Sequence, residues 1–285
     1  MKKLLLQLDT DSIPSSFDSV VAYDGGIDHL MTYAGMTPDN VEGTVHGAIF
    51  TRGGANKKYT AIFVGGSNLA EGEALFATIQ KTFFGNFRVS LMLDSNGCNT
   101  TAAAAVARIT SGGSIAGKKA VVLAGTGPLG QRAGVLLAKE GAEVTLTSRR
   151  QDRADAACAA MNERFGVNLA GQQVADEAAT QAMLEGAQIV LATGTPGIKL
   201  LPEGLWQNHP TLEILADVNT VPPTGIEGIK MLDKGKERHG KTCFGGLGIG
   251  GLKMKTHRAA IAQLFEANDQ VFDAEAIYEL AKELR

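Results

Sequence analysis

The chain has 285 residues, of which 44% are hydrophobic and 20% charged, so it is long enough to bury a core in one large domain or, more readily, in two. A net charge of −3 offers no indication of the basic surface that binding to nucleic acid or to an anionic membrane requires. The three cysteines are odd in number and widely spaced, which excludes a disulfide framework and a zinc-binding pattern and indicates a reducing compartment.

The first six residues resemble the start of a secretory leader, but the residues that follow them do not. The apolar run that ends at Leu6 is followed by Gln7 and Asp9, and no small-residue cleavage site comes after it. Nowhere does the chain reach the run of about 18 apolar residues that a membrane span needs. We therefore expect a cytoplasmic protein with neither a membrane nor a nucleic-acid partner.

Strands and helices alternate over the first third of the chain. The predicted strands cover residues 3–8, 30–33, 59–64 and 87–93, and the longest predicted helix covers residues 69–84. This βαβα pattern predicts a small α/β domain with a largely parallel sheet. Polar residues 94–101 follow the fourth strand, at the end of a strand where open α/β sheets bind ligands. An alanine-rich helix over residues 101–109 and a connector over 111–114 place a domain boundary near residues 100–114.

A glycine-rich turn begins the second part of the chain. An apolar strand over residues 120–124 is followed at once by a six-residue turn and then by a helix that reaches Lys139. The turn consists of Gly125, Thr126, Gly127, Pro128, Leu129 and Gly130. This is the G-x-G-x-x-G motif of dinucleotide-binding domains in its strand–turn–helix context, where the helix start faces a pyrophosphate. The alternative is an ordinary glycine-rich turn that binds nothing.

The next strand, residues 143–147, ends in a basic segment. An NAD site usually carries Asp or Glu at this point to hold the ribose 2′-hydroxyl. Here the chain has Ser148, Arg149 and Arg150, with Arg153 one helical turn later. A guanidinium pairs with a 2′-phosphate that a carboxylate would repel, so the segment predicts NADP as the cofactor. The alternative is a solvated basic loop.

Further elements continue the same α/β pattern. We predict helices over residues 152–165, 177–185 and 272–284 and strands over 188–192 and 212–216. The residues where these two strands end are expected to face the cofactor: Ala192, Thr193, Gly194, Asp217, Val218 and Asn219. Residues 243–253 are interpreted as a second glycine-rich loop that leads into a helix and packs against either the nicotinamide end or the cleft.

Few residues are suited to acid–base or metal chemistry. The five histidines show no paired ligand spacing, and no G-x-S-x-G motif occurs. Lys253 lies where we predict a helix start, which the helix dipole disfavours for a cation, so it contacts either solvent or a ligand. His257 is interpreted as a solvated or capping residue. Tyr278 and Lys282 have the Tyr-x-x-x-Lys spacing of some oxidoreductases, but on a helix predicted to lie at the surface.

Several further segments carry a resemblance to a known family. They are residues 9–11, 23–26, 51–54, 62–66, 94–97, 99–101, 125–130 and 247–253. In these segments the chain resembles the NADP-dependent methylene-tetrahydromethanopterin and methylene-tetrahydrofolate dehydrogenases of bacterial one-carbon metabolism. The resemblance covers nearly the whole chain and is more specific than the dinucleotide motif alone.

The resemblance implies an α/β fold with two domains and a cleft between them. A small pterin-binding domain would cover residues 1–102 and a Rossmann-type NADP domain with a parallel sheet residues 103–256, while helices over 257–285 return to the first domain. It also implies a homo-oligomer. Substrate-binding candidates are Asp18, Tyr23, Asp24, Asp94, Asn96, Asn99 and Lys253. A carboxylate suits the guanidine-like edge of a pterin, although each of these acids alone is also a plausible cap or surface charge.

The implied reaction removes a hydride from a methylene bridge and leaves a methenyl cation. Because two adjacent nitrogens stabilise that cation, no proton moves and no catalytic base is required; Lys253 would only position the substrate. Two alternatives stay open. One is a bifunctional folate dehydrogenase–cyclohydrolase, although the tyrosine and lysine of that family have no match at Tyr23, Tyr33 or Tyr59. The other is a non-enzymatic NADP-binding redox sensor.

Overall fold

The computed structural model describes residues 1–285, and the chain forms two compact units. The first contains Met1–Thr100 and Met254–Leu284, and the second contains Thr101–Lys253 with Arg285. The sequence had placed these divisions at 102/103 and 256/257. Two helices contain the actual divisions, α4 (Cys98–Ile109) and α9 (Gly246–Gln263).

The first unit is built on a five-stranded parallel sheet. Its strands are β1 (Leu4–Asp9), β2 (His29–Tyr33), β3 (Thr60–Gly65), β4 (Ser90–Leu93) and β12 (Val271–Phe272), in the order β12-β4-β3-β1-β2. Its other helices are α1 (Ser16–Asp24), α2 (Glu42–Phe50), α3 (Leu69–Thr82) and α10 (Ala274–Leu284). Every residue of β3 and β4 is buried, as expected of central strands that helices cover on both faces.

Three sequence predictions for this unit are wrong in their details. The fourth strand begins at Ser90 rather than at residue 87, because Phe84 and Phe87 close a tight turn with two backbone hydrogen bonds of 3.3 and 2.9 Å. The helix predicted from residue 101 begins at Cys98. The terminal helix begins at Ala274, because Val271 and Phe272 add a short strand beside β4 that the sequence did not reveal.

The second unit is built on a seven-stranded sheet. Its strands are β5 (Lys119–Leu123), β6 (Glu143–Ser148), β7 (Leu169–Gln173), β8 (Ile189–Ala192), β9 (Ile214–Asp217), β10 (Lys234–Arg238) and β11 (Lys241–Phe244), in the order β10-β11-β9-β8-β5-β6-β7. Its helices are α5 (Pro128–Lys139), α6 (Gln151–Phe165), α7 (Glu177–Met183) and α8 (Glu203–Trp206). All pairs are parallel except β10 with β11.

This strand order is that of a doubly wound dinucleotide-binding sheet. The order reverses between β5 and β8, and ligands of such sheets bind at the carboxyl ends of the strands beside this switch point. The α/β, Rossmann-type architecture predicted from the sequence is therefore confirmed. Strands β7, β10 and β11 were not predicted.

The second glycine-rich segment is not a loop, which corrects the sequence interpretation. Strand β11 ends at Phe244 and helix α9 begins two residues later. A Cβ atom would lie 2.1 Å from the Lys230 carbonyl oxygen at Gly245 and 2.0 Å from the Asp233 carbonyl oxygen at Gly248. These glycines are therefore required for close backbone packing. None of the helices combines the length and the apolar character of a membrane span.

Candidate functional site

The turn between β5 and α5 is held in place by Thr147 of the neighbouring strand. The Thr147 hydroxyl accepts a hydrogen bond from the Ala124 N–H at 3.1 Å, and its carbonyl oxygen accepts one from the Gly125 N–H at 2.9 Å. Ala124 has a φ of 51°, a left-handed conformation that costs a non-glycine residue of the order of 1 kcal/mol. The surrounding hydrogen bonds therefore maintain a turn that the chain would not adopt alone.

The three glycines of the turn have different tasks. A Cβ atom at Gly125 would lie 2.8 Å from the Val122 carbonyl oxygen, and one at Gly130 would lie 2.6 Å from Gly125 itself. Gly125 and Gly130 are therefore needed for packing within the chain. A Cβ atom at Gly127 would meet nothing within 4 Å. Gly127 leaves open space above the turn, which is what close approach of a pyrophosphate requires.

Helix α5 directs its amino-terminal end at the same space. Gly127 is the residue before the helix, Pro128 is its first residue, and no side chain caps the helix. The first N–H groups of a helix have no partner within it, and the helix dipole makes this end favourable for an anion. The local structure thus fits a phosphate group.

A cavity of about 560 Å³ adjoins the turn. Its lining contains eight of the residues predicted to hold the cofactor: Thr126, Gly127, Ser148, Arg149, Arg150, Arg153, Thr193 and Gly194. Thr193 is fixed by a 3.1 Å hydrogen bond from its hydroxyl to the Leu123 carbonyl oxygen. The structure therefore gathers residues from the ends of three adjacent strands around one space.

The two neighbouring arginines in this cavity are not equivalent. Arg150 donates from Nε to Asp152 Oδ1 at 2.9 Å and forms an ion pair with the same carboxylate. These contacts raise the pKa of Arg150 and lower that of Asp152. The guanidinium of Arg149 makes no hydrogen bond or ion pair within the chain, while its carbonyl oxygen accepts from Gln173 Nε2 at 3.1 Å. Arg149 is thus anchored by its backbone and has its full donor set available for a phosphate.

The end of β9 is held by hydrogen bonds within the chain. The carboxylate of Asp217 is buried and accepts hydrogen bonds from the Asn219 N–H at 2.9 Å and the Ile226 N–H at 2.8 Å. Burial raises its pKa. Asp217 therefore holds the loop that follows β9, and neither it, Val218 nor Asn219 lines the cavity above the turn. A role for these three in cofactor binding stays a prediction.

In the first unit, Asp94 is occupied by internal contacts. Its side chain is 0% exposed and accepts hydrogen bonds from the Thr100 N–H at 2.9 Å and the Thr100 hydroxyl at 2.6 Å. His257 Nδ1 lies 3.7 Å from Asp94 Oδ2, and the imidazole stacks on Phe63 with ring centroids 5.6 Å apart. The predicted substrate role of Asp94 stays a prediction, and the structure gives its carboxylate the task of ordering the start of α4.

The interpretation of His257 as a solvated or capping residue is wrong. Its side chain is 1% exposed, because the carboxyl-terminal half of α9 is packed into the first unit. Two other expectations also fail, namely that Tyr278 lies on a surface helix and that Lys253 lies at a helix start. Tyr278 is buried rather than at the surface, and Lys253 is the eighth residue of α9 rather than its first and is only 8% exposed.

The remaining substrate candidates divide into buried and exposed residues. Asn99 is buried, and its Nδ2 donates to the Leu93 carbonyl oxygen at 2.8 Å. Asp18 is buried in the first turn of α1, and its Oδ2 lies 3.7 Å from where a Cβ on Gly65 would be. Tyr23, Asp24 and Asn96 are exposed, and Asn96 has a φ of 53°. No group of three or more His, Cys, Asp or Glu side chains is arranged to hold a metal ion.

Known proteins resemble this chain over its full length. The family model described as methylene-tetrahydromethanopterin dehydrogenase, N-terminal, matches residues 16–96. A protein of Methylorubrum extorquens named bifunctional protein MdtA is 58% identical over 285 residues, 99% of each chain. A second protein of that organism, an NAD(P)-dependent methylenetetrahydromethanopterin dehydrogenase, is 28% identical and covers 95% of this chain and 94% of its own.

Among solved structures, shikimate 5-dehydrogenase of Listeria monocytogenes, determined in complex with shikimate and NAD, has the same fold. The TM-score is 0.55 at 16% identity, and the match covers 98% of this chain and 96% of that chain. An identity this low shows the fold alone.

Proposed function

Because the chain belongs to the methylene-tetrahydromethanopterin dehydrogenase family, we propose that it is an oxidoreductase that transfers a hydride between methylene-tetrahydromethanopterin and NADP. The observation that carries the cofactor half of this proposal is the pairing of an uncapped helix start with the available guanidinium of Arg149. The first suits a pyrophosphate and the second a 2′-phosphate.

The cofactor NADP supplies the acceptor for the hydride. The chain contributes the phosphate-binding turn and the basic end of β6, and no carboxylate precedes Asp152 there to hold an unphosphorylated ribose. NADP is therefore preferred over NAD. Loss of hydride from a carbon between two nitrogens releases no proton, so the side chains have only to bind and orient the reactants and exclude water.

We extend the proposal to methylene-tetrahydrofolate as a second substrate. The 58% identical relative is named a bifunctional protein, which favours two activities in this chain as well. Folate and methanopterin share the reacting rings and differ mainly in their tails, so the same hydride transfer accounts for both. A cyclohydrolase as the second activity would instead yield a formyl product, which chromatography detects.

A steady-state assay tests the proposal. Purified protein is mixed with each methylene pterin and with NADP or NAD, and the near-ultraviolet absorbance of the reduced nicotinamide is followed. We expect reduction of NADP with methylene-tetrahydromethanopterin and a far slower reaction with NAD. Absence of any reduction with either pterin would refute the enzymatic assignment. Binding of NADP in calorimetry with no pterin binding would support a redox sensor instead.

We also propose that the protein is a cytoplasmic homo-oligomer. Cys98, Cys158 and Cys243 are all buried and unpaired, which is consistent with a reducing compartment. The subunit count is measured by light scattering coupled to size-exclusion chromatography, and a monomer at working concentrations would contradict the proposal.

A further inference from the structure

A second cavity of about 320 Å³ lies beside the phosphate-binding turn. Its walls come from the ends of β5, β6 and β7 and from the segment after β8, and it shares Ser148 and Arg149 with the larger cavity. Half of the residues that line it are apolar, among them Leu123, Val174, Ile198, Leu200 and Pro202. The apolar side chains suit the faces of a flat aromatic ring, and the polar ones suit the atoms at its edge.

The position of this cavity relates it to the adenosine half of the cofactor. The 2′-phosphate and the adenine are attached to the same ribose, so a cofactor whose 2′-phosphate is held by Arg149 has its base close to that residue. Arg149 lies on the boundary of both cavities. The larger one contains the turn that suits the pyrophosphate, which leaves the smaller one for the base.

Most polar groups in the smaller cavity are already engaged within the chain. The Thr180 hydroxyl donates to the Asp176 carbonyl oxygen at 2.8 Å, and Lys199 Nζ contacts Glu227 Oε1 at 3.0 Å. Two carboxylates in the lining, those of Asp176 and Glu177, differ from them, and only that of Asp176 is fixed by a hydrogen bond within the chain. Asp176 Oδ1 accepts from the Ala179 N–H at 2.8 Å, which caps helix α7 and fixes the carboxylate, while its Oδ2 has no partner in the chain.

We propose that the adenine base occupies this cavity and that Asp176 Oδ2 accepts a hydrogen bond from its 6-amino group. The inference rests on the proposed binding of NADP. A carboxylate is only an acceptor, so it pairs with the amino group of adenine and repels the oxygen that hypoxanthine carries at the same position. Asp176 then makes the protein selective for the base as well as for the 2′-phosphate.

Calorimetric binding of NADP and of nicotinamide hypoxanthine dinucleotide phosphate tests this inference without requiring turnover. The wild-type protein is expected to bind NADP about tenfold more tightly than the hypoxanthine analogue. Asp176→Asn keeps the cap through its amide oxygen and turns an NH₂ donor towards the base. This variant is therefore expected to reverse the preference. Asp176→Ser also keeps a cap but has no second acceptor, so its two dissociation constants should become nearly equal.

Glu185→Gln is the matched control, because it removes the same charge from an exposed residue that follows helix α7 and does not line the cavity, and it should leave the ratio of the two dissociation constants as in the wild type. Thermal melting of each variant confirms that it is folded. Equal wild-type affinities for the two nucleotides, or an equal shift of the ratio by Glu185→Gln, would overturn the role of Asp176 while the proposed function stands. Failure of the wild type to bind NADP would overturn both.

Discussion

Replacing Arg149 with alanine removes a guanidinium beside the end of β6 that is not paired with a carboxylate. A hydrogen bond to a charged group contributes about 1.5–3 kcal/mol, and the exposure of Arg149 places the effect at the lower end of this range. Because about 1.4 kcal/mol corresponds to tenfold, the dissociation constant for NADP should rise by about 10- to 30-fold. The dissociation constant for NAD should hardly change, since NAD has no 2′-phosphate.

Arg150→Ala is the control for this experiment. Its guanidinium is already held by Asp152, so its removal should weaken NADP binding by only about two- to threefold. Arg149→Lys should give an intermediate loss, because an ammonium offers a point charge in place of a planar fork. Both constants are measured by calorimetry at low and at high salt, and the difference between NADP and NAD should shrink as salt screens the phosphate.

Two results would refute the reasoning. An equal loss of affinity for NADP and NAD in Arg149→Ala would show that Arg149 supports the turn rather than the 2′-phosphate. A larger effect of Arg150→Ala than of Arg149→Ala would show that the ion pair with Asp152 opens on binding and that Arg150 is the phosphate ligand.

Three further predictions follow from the packing. Gly127→Ala should fold normally but bind NADP poorly, whereas Gly130→Ala should lower the melting temperature, because its Cβ would lie 2.6 Å from Gly125; equal melting temperatures would contradict this. Burial raises the pKa of Cys98 and of Cys243 to about 12, so a thiol reagent at mildly alkaline pH should label them only after unfolding, and rapid labelling of the native protein would be inconsistent with their burial. Asp94→Ala should lower the free energy of unfolding by about 3 kcal/mol, measured in urea, because the Thr100 N–H and hydroxyl lose their acceptor; a normal stability with a raised KM for the pterin would instead support a direct substrate role.

The sequence alone determined the dinucleotide-binding turn and the α/β class. The turn is a local feature, because one uninterrupted segment of chain supplies the strand, the three glycines and the helix start. Gly125 and Gly130 are required by contacts with near neighbours in the chain, such as Val122, so a short motif is sufficient to identify them. The basic end of β6 was predictable for the same reason, because Ser148, Arg149 and Arg150 are consecutive in the sequence.

Only the tertiary structure decided which charged side chains are available to bind a ligand. Arg149 and Arg150 are equivalent in the sequence, and the side-chain geometry at Asp152 distinguishes them. Asp176 is distant in the sequence from the ends of β5 and β6, and only the fold places it beside the cavity that they line. The burial of His257 is not predictable from the sequence, because the groups that surround it, Asp94 and Phe63, come from distant parts of the chain. The burial of a side chain and the identity of its hydrogen-bond or ion-pair partners depend on contacts between such distant segments. A local sequence pattern does not specify these contacts.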